Sequence, residues 1–388
     1  MKVRAPNPRT PFYWGRDLWD RLQRRPERPW GRWGWFRPPG GPGPLLWVYA
    51  PDCAGARVGG EIVRGIRSVR VDVRAVVMAA DGCGDTLRPL FREYPGTAAA
   101  PAVIDHQRAA RRAAGRLRPN AMLAVHELPP YQVMKGLAES GVPVTAVNCE
   151  PPRRRPRGLR FDHVLPVGAA QAGRWRSAGT EPEAPVDLEV LLARMDVEPT
   201  FRSLLIPGEG RRLIWTDRLP TQATARQSLL EHWGAGDRTL AVSGPGSEAG
   251  RGHPGIRLSD WDRTRQPVAP DTLVWMDTDQ WLPAVTASAF AGCQWEGRRP
   301  ALWQALASGL PLAVGPAAAA KLRDLGVDPQ VAAVPVEDWE AVSRQWEQWS
   351  EEAFAWRDQQ ARARRVFWEV RRQAEQGMAL LDRWADRW

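Results

Sequence analysis

Lysine is nearly missing from this chain of 388 residues, occurring only as Lys2, Lys135 and Lys321, so almost all of the positive charge is arginine. That bias suits a GC-rich genome as well as a function, and it tempers what a net charge of +10 says about phosphates, nucleic acid or acidic lipid as partners. Cysteine is sparse too. Cys53, Cys83, Cys149 and Cys293 form no CxxC pair, which argues against a zinc ribbon or a dense disulfide framework and fits a reducing cytoplasm. No run approaches the ~20 apolar residues that span a bilayer, and the first residues lack the apolar core of a signal peptide, so a soluble or peripheral protein is expected. His106, His163, His232 and His253 show neither HxH nor HxxxH spacing, and no metal site is expected.

Tryptophan is abundant instead. In residues 1–44 it alternates with arginine at Trp14, Trp19, Trp30, Trp33 and Trp35. Such an arm suits a membrane interface, where indoles sit at headgroup level and guanidinium groups meet lipid phosphate. The alternative is an arm packed on the first domain.

From Leu45 the pattern alternates between apolar runs and amphipathic segments. Strands are expected at Leu45–Ala50, Val73–Ala80, Ala102–Asp105, Ala121–His126, Pro143–Asn148 and Phe161–Val167, separated by helices. Continuous apolar strands spaced by helices imply a parallel sheet covered on both faces. Residues 181–210, with several Pro and Glu and no long periodicity, read as an interdomain linker. A second series over 211–336 has strands expected at Leu213–Thr216, Thr239–Ser243, Thr272–Met276, Ala287–Ala291, Leu310–Val314 and Val331–Val336. The fold class is therefore α/β: two doubly wound Rossmann-like domains, 45–180 and 211–336, with a cleft between them. Residues 337–388 are helical, and Trp339, Trp346, Trp349 and Trp356 fall on one stripe, either a seam for a partner helix or a face packed on the protein itself.

Parallel sheets place their chemistry in the loops beyond the carboxyl ends of the strands. Those loops carry Asp52-Cys53-Ala54-Gly55-Ala56-Arg57, the glycine-bearing Asp81–Asp85, His126-Glu127 and Cys149-Glu150-Pro151. The Asp81–Asp85 turn is neither GxGxxG nor a Walker loop. Glu127, at the end of a buried strand, is a candidate functional acid, or else a cap of the next helix. Arg298 and Arg299 precede a helix opened by Pro300, a place suited to a nucleotide phosphate. The run Arg153–Arg157 reads as a phosphate-binding segment or a solvated loop, with no nucleic-acid motif beside it.

In their order along the chain, several segments resemble the Kdo transferases, the 3-deoxy-D-manno-octulosonic acid transferases of lipopolysaccharide synthesis. The resemblance rests on Pro44-Leu45-Leu46-Trp47-Val48-Tyr49-Ala50, on Leu117-Arg118-Pro119 with His126-Glu127-Leu128-Pro129-Pro130, on Gly141–Asn148, on Phe161–Leu165 and on Ala305–Pro316. It implies the GT-B fold and an inverting, metal-independent transfer of Kdo from CMP-Kdo to a lipid A-type acceptor at the inner face of the cytoplasmic membrane. No cofactor is implied beyond the CMP-sugar substrate. The family's general base falls on Gly55, which accepts no proton, leaving Asp52 as the stand-in base and Glu127 as an acceptor-orienting carboxylate. Arg57 and Asn148 match substrate-binding positions. Arg298, Arg299 and Gln304 are the expected nucleotide contacts, with Gln304 standing for a family glutamate. With the base replaced, two readings stay open: a divergent glycosyltransferase, or a non-catalytic relative that binds an anionic glycolipid or a partner enzyme.

Overall fold

The computed structural model describes residues 15, 18, 31–79, 83–194, 212–233, 238–243, 255–264, 267–268, 273–276 and 279–388. Packing divides the chain into two units, one reaching to Leu188 and including Ala374–Trp388, the other running from Glu189 to Gln373.

In the first unit the chain alternates β1 (Leu45–Tyr49), α1 (Cys53–Val69), β2 (Arg74–Ala79), α2 (Gly84–Glu93), β3 (Thr97–Pro101), α3 (Gln107–Leu117), β4 (Ala121–Val125), α4 (Tyr131–Glu139), β5 (Val144–Val147), β6 (Phe161–Leu165) and α5 (Ala169–Ser177). The strands form one parallel sheet in the order β3-β2-β1-β4-β5-β6. β1, β4 and β5 are buried along their whole length, as continuous apolar runs require when helices cover both faces. The core on one face gathers Trp47, Met78, Met122, Leu137 and Trp175.

The third strand departs from expectation. It runs over Thr97–Pro101, not Ala102–Asp105, and Val103 and Ile104 reach the core from the loop that follows. Pro101 is tolerated there because β3 is an edge strand with no neighbour to receive its missing N–H.

The second unit runs β7 (Arg212–Thr216), α6 (Ala223–Trp233), β8 (Arg238–Ser243), β9 (Gly255–Arg257), α7 (Leu258–Thr264), β10 (Leu273–Met276), α8 (Leu282–Ser288), β11 (Ala291–Gln294), α9 (Arg299–Ser308), β12 (Leu312–Val314), α10 (Pro316–Asp324), α11 (Pro329–Ala332) and β13 (Val334–Pro335). Its parallel sheet has the order β13-β12-β11-β7-β8-β10-β9. The strand expected at Ala287–Ala291 is displaced: α8 takes the residues up to Ser288, and the strand starts at Ala291. The run expected as a strand at Val331–Val336 splits between α11 and the two-residue β13. Two doubly wound parallel sheets followed by helices are what the apolar patterning predicts.

Two helices end the chain, α12 (Trp339–Glu351) and α13 (Ala353–Ala385), the latter beginning in the second unit and ending in the first. The tryptophan stripe packs on the second unit's own core. Trp346 and Trp349 are buried, Trp346 donates to the Gly292 carbonyl at 3.2 Å, and Trp356 stacks on Phe290 at 5.4 Å while donating to its carbonyl.

Of the N-terminal arm, Trp14, Trp19 and Trp30 lie outside the described residues. Trp33 packs on the first core edge-on to His106, and Trp35 is flanked by the guanidinium groups of Arg112 and Arg116 at 4.4 and 4.3 Å. For these two rings, packing on the domain is the arrangement found. No helix among the described residues is long and apolar enough to cross a membrane.

Candidate functional site

The strand order of the first sheet reverses direction between β1 and β4, and the crevice beyond the carboxyl ends of such a pair is where parallel sheets bind ligands. Asp52 follows β1 and His126 follows β4. Their side chains meet there, His126 Nδ1 lying 3.3 Å from Asp52 Oδ2. The Asp52 side chain is half exposed and the His126 ring only 13% exposed, so the carboxylate faces solvent with the imidazole behind it.

Local structure fixes both groups. Asp52 is the N-cap of α1 and accepts from the Gly55 amide at 2.7 Å through Oδ1. Its carboxyl is held below the usual range, first by the hydrogen bond from His126 and, against the opposing pull of partial burial, by the amide of Gly55 and the charge of His126. His126 has φ +66°, a left-handed conformation uncommon outside glycine, in which Asn, Asp and His are the residues most often found. Its amide still donates to the Val147 carbonyl at 2.9 Å, which anchors the turn to β5.

Gly55 explains why the ring fits. A Cβ at this position would stand 3.3 Å from His126 Cγ and Nδ1 and from the Val125 carbonyl oxygen. The absence of a side chain at Gly55 therefore makes room for the histidine. Gly55→Ala is expected to change stability by less than about 1 kcal/mol, since the gain in helix propensity offsets the crowding. It should nevertheless displace the ring, so the signature is a lost Asp52–His126 contact by NMR of the imidazole with an almost unchanged unfolding midpoint. Gly55→Glu is expected to supply no working base, because its longer side chain meets the same obstacle.

The other expected residues of this unit fall around the pair. Glu127 is exposed on the loop after β4, and it caps nothing: Pro130 holds the N-cap position of α4 with no side-chain bond. Arg57 is exposed on α1. Asn148, at the end of β5, also has a left-handed backbone (φ +57°), but its side chain is buried and donates to Asp187 Oδ1 at 3.4 Å. Glu150 on the same loop forms a two-pronged pair with Arg174, both contacts at 2.6 Å. In the Arg153–Arg157 run the arginines are exposed, Arg154 over the Tyr131 ring and Arg155 on the Leu159 carbonyl and Thr180.

A disulfide joins Cys53 and Cys83, tying the start of α1 to the start of α2 beside Asp52. Thirty residues separate the two cysteines in sequence, and they meet because β1 and β2 are neighbouring strands. A stable disulfide belongs to oxidising surroundings, against the reducing compartment that sparse cysteines imply. Asp81 and Gly82 of the adjoining turn lie outside the described residues. His163 pairs with Glu183 at 2.8 Å and His106 caps α3, whereas the His232 side chain and His253 lie outside them.

In the second unit the sheet reverses between β7 and β11, and an aspartate again follows the first strand. Asp217 is buried and accepts from the amides of Trp295 at 2.6 Å and Glu296 at 2.9 Å, which fastens the loop after β11. Burial outweighs those two bonds and pushes its carboxyl up to about 6. The folded chain therefore retains a proton that the unfolded chain releases once pH exceeds about 3.9. This group's stabilising share is full below that pH, declines as pH rises toward about 6, and is gone above it. Denaturation of wild type and Asp217→Asn between pH 4.5 and 7 is expected to show the wild-type slope, worth about 2 kcal/mol over that range, flattened in the variant.

Of the expected nucleotide contacts of this unit, Arg299 and Gln304 have their side chains engaged within it. Arg298 is the N-cap of α9, its carbonyl accepting from Gln294 Nε2 at 3.3 Å. Arg299 forms an ion pair at 2.8 Å with the buried carboxylate of Glu189. Gln304 is buried, and both ends of its amide bond the backbone of Arg194, donating to the carbonyl at 2.7 Å and accepting from the N–H at 3.0 Å. Arg299 and Gln304 thus hold the segment at 189–194 in place, and Gln304 has its amide engaged where a ribose contact is expected.

No protein-family model and no curated protein matches the chain by sequence. Solved structures do match in fold. The glycosyltransferase VinC in complex with DTDP shares 11% identity at a TM-score of 0.54, over 89% of this chain and 100% of that one. HepE from Anabaena in complex with UDP and glucose shares 10% at 0.53, over 87% and 100%. UDP-GlcNAc 2-epimerase from Neisseria meningitidis bound to UDP-GlcNAc shares 9% at 0.52, over 85% and 100%. The fold is of the GT-B type. At such identities the likeness is one of architecture, which in these structures carries both transferase and epimerase.

Proposed function

We propose that the chain is a nucleotide-sugar-dependent glycosyltransferase in which Asp52, backed by His126, takes the proton from an acceptor hydroxyl. The observation that carries this reading is the Asp52–His126 pair at the reversal of the first sheet. An ionised, half-exposed carboxylate can receive a proton, and the imidazole N–H behind it fixes its orientation and shares the charge.

In the reaction so written, the acceptor oxygen bonds to the anomeric carbon as its proton passes to Asp52. The bond from that carbon to the donor phosphate breaks, and the nucleotide leaves with the electron pair. One displacement inverts the anomeric centre. The first unit takes the acceptor, with Glu127 and Arg57 exposed near its carboxyl edge, and the second takes the nucleotide, its phosphate near Arg298 and the first turn of α9. VinC and HepE, crystallised with DTDP and with UDP and glucose, support a nucleotide sugar as donor. The finer assignment, Kdo from CMP-Kdo to a lipid A-type acceptor at a membrane surface, rests on the sequence resemblance.

A second reading has an observation of its own. Gly55 stands in place of the family base, and both Arg299 and Gln304 are engaged internally, an arrangement that suits a protein retained for binding an anionic glycolipid or a partner enzyme. Nucleotide release decides between them. The purified chain is incubated with UDP-, dTDP- and CMP-sugars, each with and without a panel of hydroxyl acceptors including a tetraacylated lipid A precursor. Acceptor-dependent release with formation of a glycosylated product supports transfer; saturable binding of ligand with no release from any pair supports the binding role.

A further inference from the structure

One face of α13 carries arginines and aromatic rings that packing of the chain does not use. Ala363, Val366, Phe367 and Val370 are buried, and Gln359 donates to the Ala332 carbonyl at 3.0 Å, which fixes the helix about its axis. At 3.6 residues per turn the outward face then presents Phe354, Arg357, Arg364, Arg365, Trp368 and Arg372, all within about 60° of Trp368. The two rings are open to solvent, Phe354 at 84% and Trp368 at 47%. This stripe lies wholly within the second unit and is about 27 Å long.

Charge on the stripe is of one sign. Between residues 354 and 373 the helix has six arginines and two carboxylates. Asp358 is paired with Arg362 at 2.6 Å, both off the stripe, and Glu369 is set about 100° round the helix from Trp368. Arg357, Arg364, Arg365 and Arg372 are exposed and in no ion pair among the described residues. Arg371, at the edge of the stripe, lies over the Trp368 ring at 5.7 Å. Glu351 and Glu352 precede the stripe and Glu375 follows it, so the acidic groups bound the arginines without interrupting them. Exposed rings set among unpaired guanidinium groups suit a partner that is anionic and offers the rings an apolar layer.

We infer that the stripe docks the second unit on an anionic phospholipid surface, the guanidinium groups meeting lipid phosphate and Phe354 and Trp368 entering the headgroup layer. A helix face meets a flat surface along its whole length, so the two rings, about 21 Å apart along the axis, engage together. A nucleic-acid duplex would answer the arginines but leave the rings against phosphate. The inference goes beyond the proposed transfer, which names no face of the chain for a membrane. Vesicle binding requires no turnover, so either can fail alone.

The test is flotation of the full chain with vesicles of phosphatidylcholine and phosphatidylglycerol, compared with phosphatidylcholine alone. Binding to the anionic vesicles is expected to saturate, to fall as salt rises, and to weaken at least roughly tenfold in Arg365→Gln/Arg372→Gln, each arginine near such a surface being worth about fivefold. Phe354→Ser/Trp368→Ser should weaken it as well, since both rings are exposed and their removal leaves the core intact. Arg108→Gln/Arg111→Gln, exposed on α3 of the first unit, should leave it unchanged. Equal binding to the two vesicles, no binding, or anionic-vesicle binding that the α13 substitutions leave intact overturns the inference. Capture of a duplex DNA probe through Arg365 and Arg372 without vesicle binding assigns the stripe to nucleic acid and overturns it too.

Discussion

Replacing Asp52 by asparagine is expected to lower acceptor-dependent turnover by roughly 10²–10⁴-fold, the usual cost of losing a general base. The substitution separates two jobs of one side chain. Asparagine is as good an N-cap as aspartate, so α1 keeps the bond to the Gly55 amide and the unfolding midpoint should move little. What is lost is the negative charge that receives the proton and that His126 supports. Asp52→Ala removes the cap too and is expected to lose a further ~1 kcal/mol of stability. Turnover and chemical denaturation measured on both variants distinguish a catalytic role from a capping role: a purely structural Asp52 would lose activity only in proportion to folded protein.

Trp175→Ala is expected to destabilise the first unit by about 3–5 kcal/mol, read as a shift of the denaturant midpoint of that unit. The ring is buried within the core cluster, lies edge-on to Phe161 at 5.1 Å and donates to the Cys149 carbonyl at 2.7 Å. Deleting it leaves both a cavity and an unsatisfied carbonyl beside β5, against a total stability that for most domains is only about 5–15 kcal/mol. Trp175→Phe retains most of the volume and should cost markedly less, which separates packing from the hydrogen bond.

The strands around the site were legible because β1, β4 and β5 are uninterrupted apolar runs ended by polar residues. From them the rule that ligands lie beyond the carboxyl ends leads to the loop Asp52–Arg57 and to Glu127, and the resemblance singles out Asp52 within that loop. Weaker runs misled. Thr97–Pro101 is small residues and a proline on an edge strand, while Val103 and Ile104 next to it supply the apolar signal from a loop. Gln294 likewise disguises the end of β11, whose side chains are nonetheless all buried.

The pairing of Asp52 with His126 joins loops 74 residues apart and has no local signature. A hint existed in Gly55, since a glycine early in a helix makes room for a neighbour, but which neighbour only the sheet order decides. The same limit hid Cys53–Cys83, brought together by adjacent strands, and the attachment of Arg299 and Gln304 to residues 189–194. Asp217 went unrecognised because a lone aspartate after a strand says nothing of the two amides that close over it.

Whether Asp52 and His126 act as one unit is measured by a double-mutant cycle. Asp52→Asn, His126→Gly and the double variant are compared by acceptor-dependent nucleotide release, glycine being chosen because it suits the φ of +66° at position 126. If the pair works as a unit, the double variant should be no more than about threefold slower than the slower single variant. Losses that multiply would mean that the two residues act independently and would contradict the assignment.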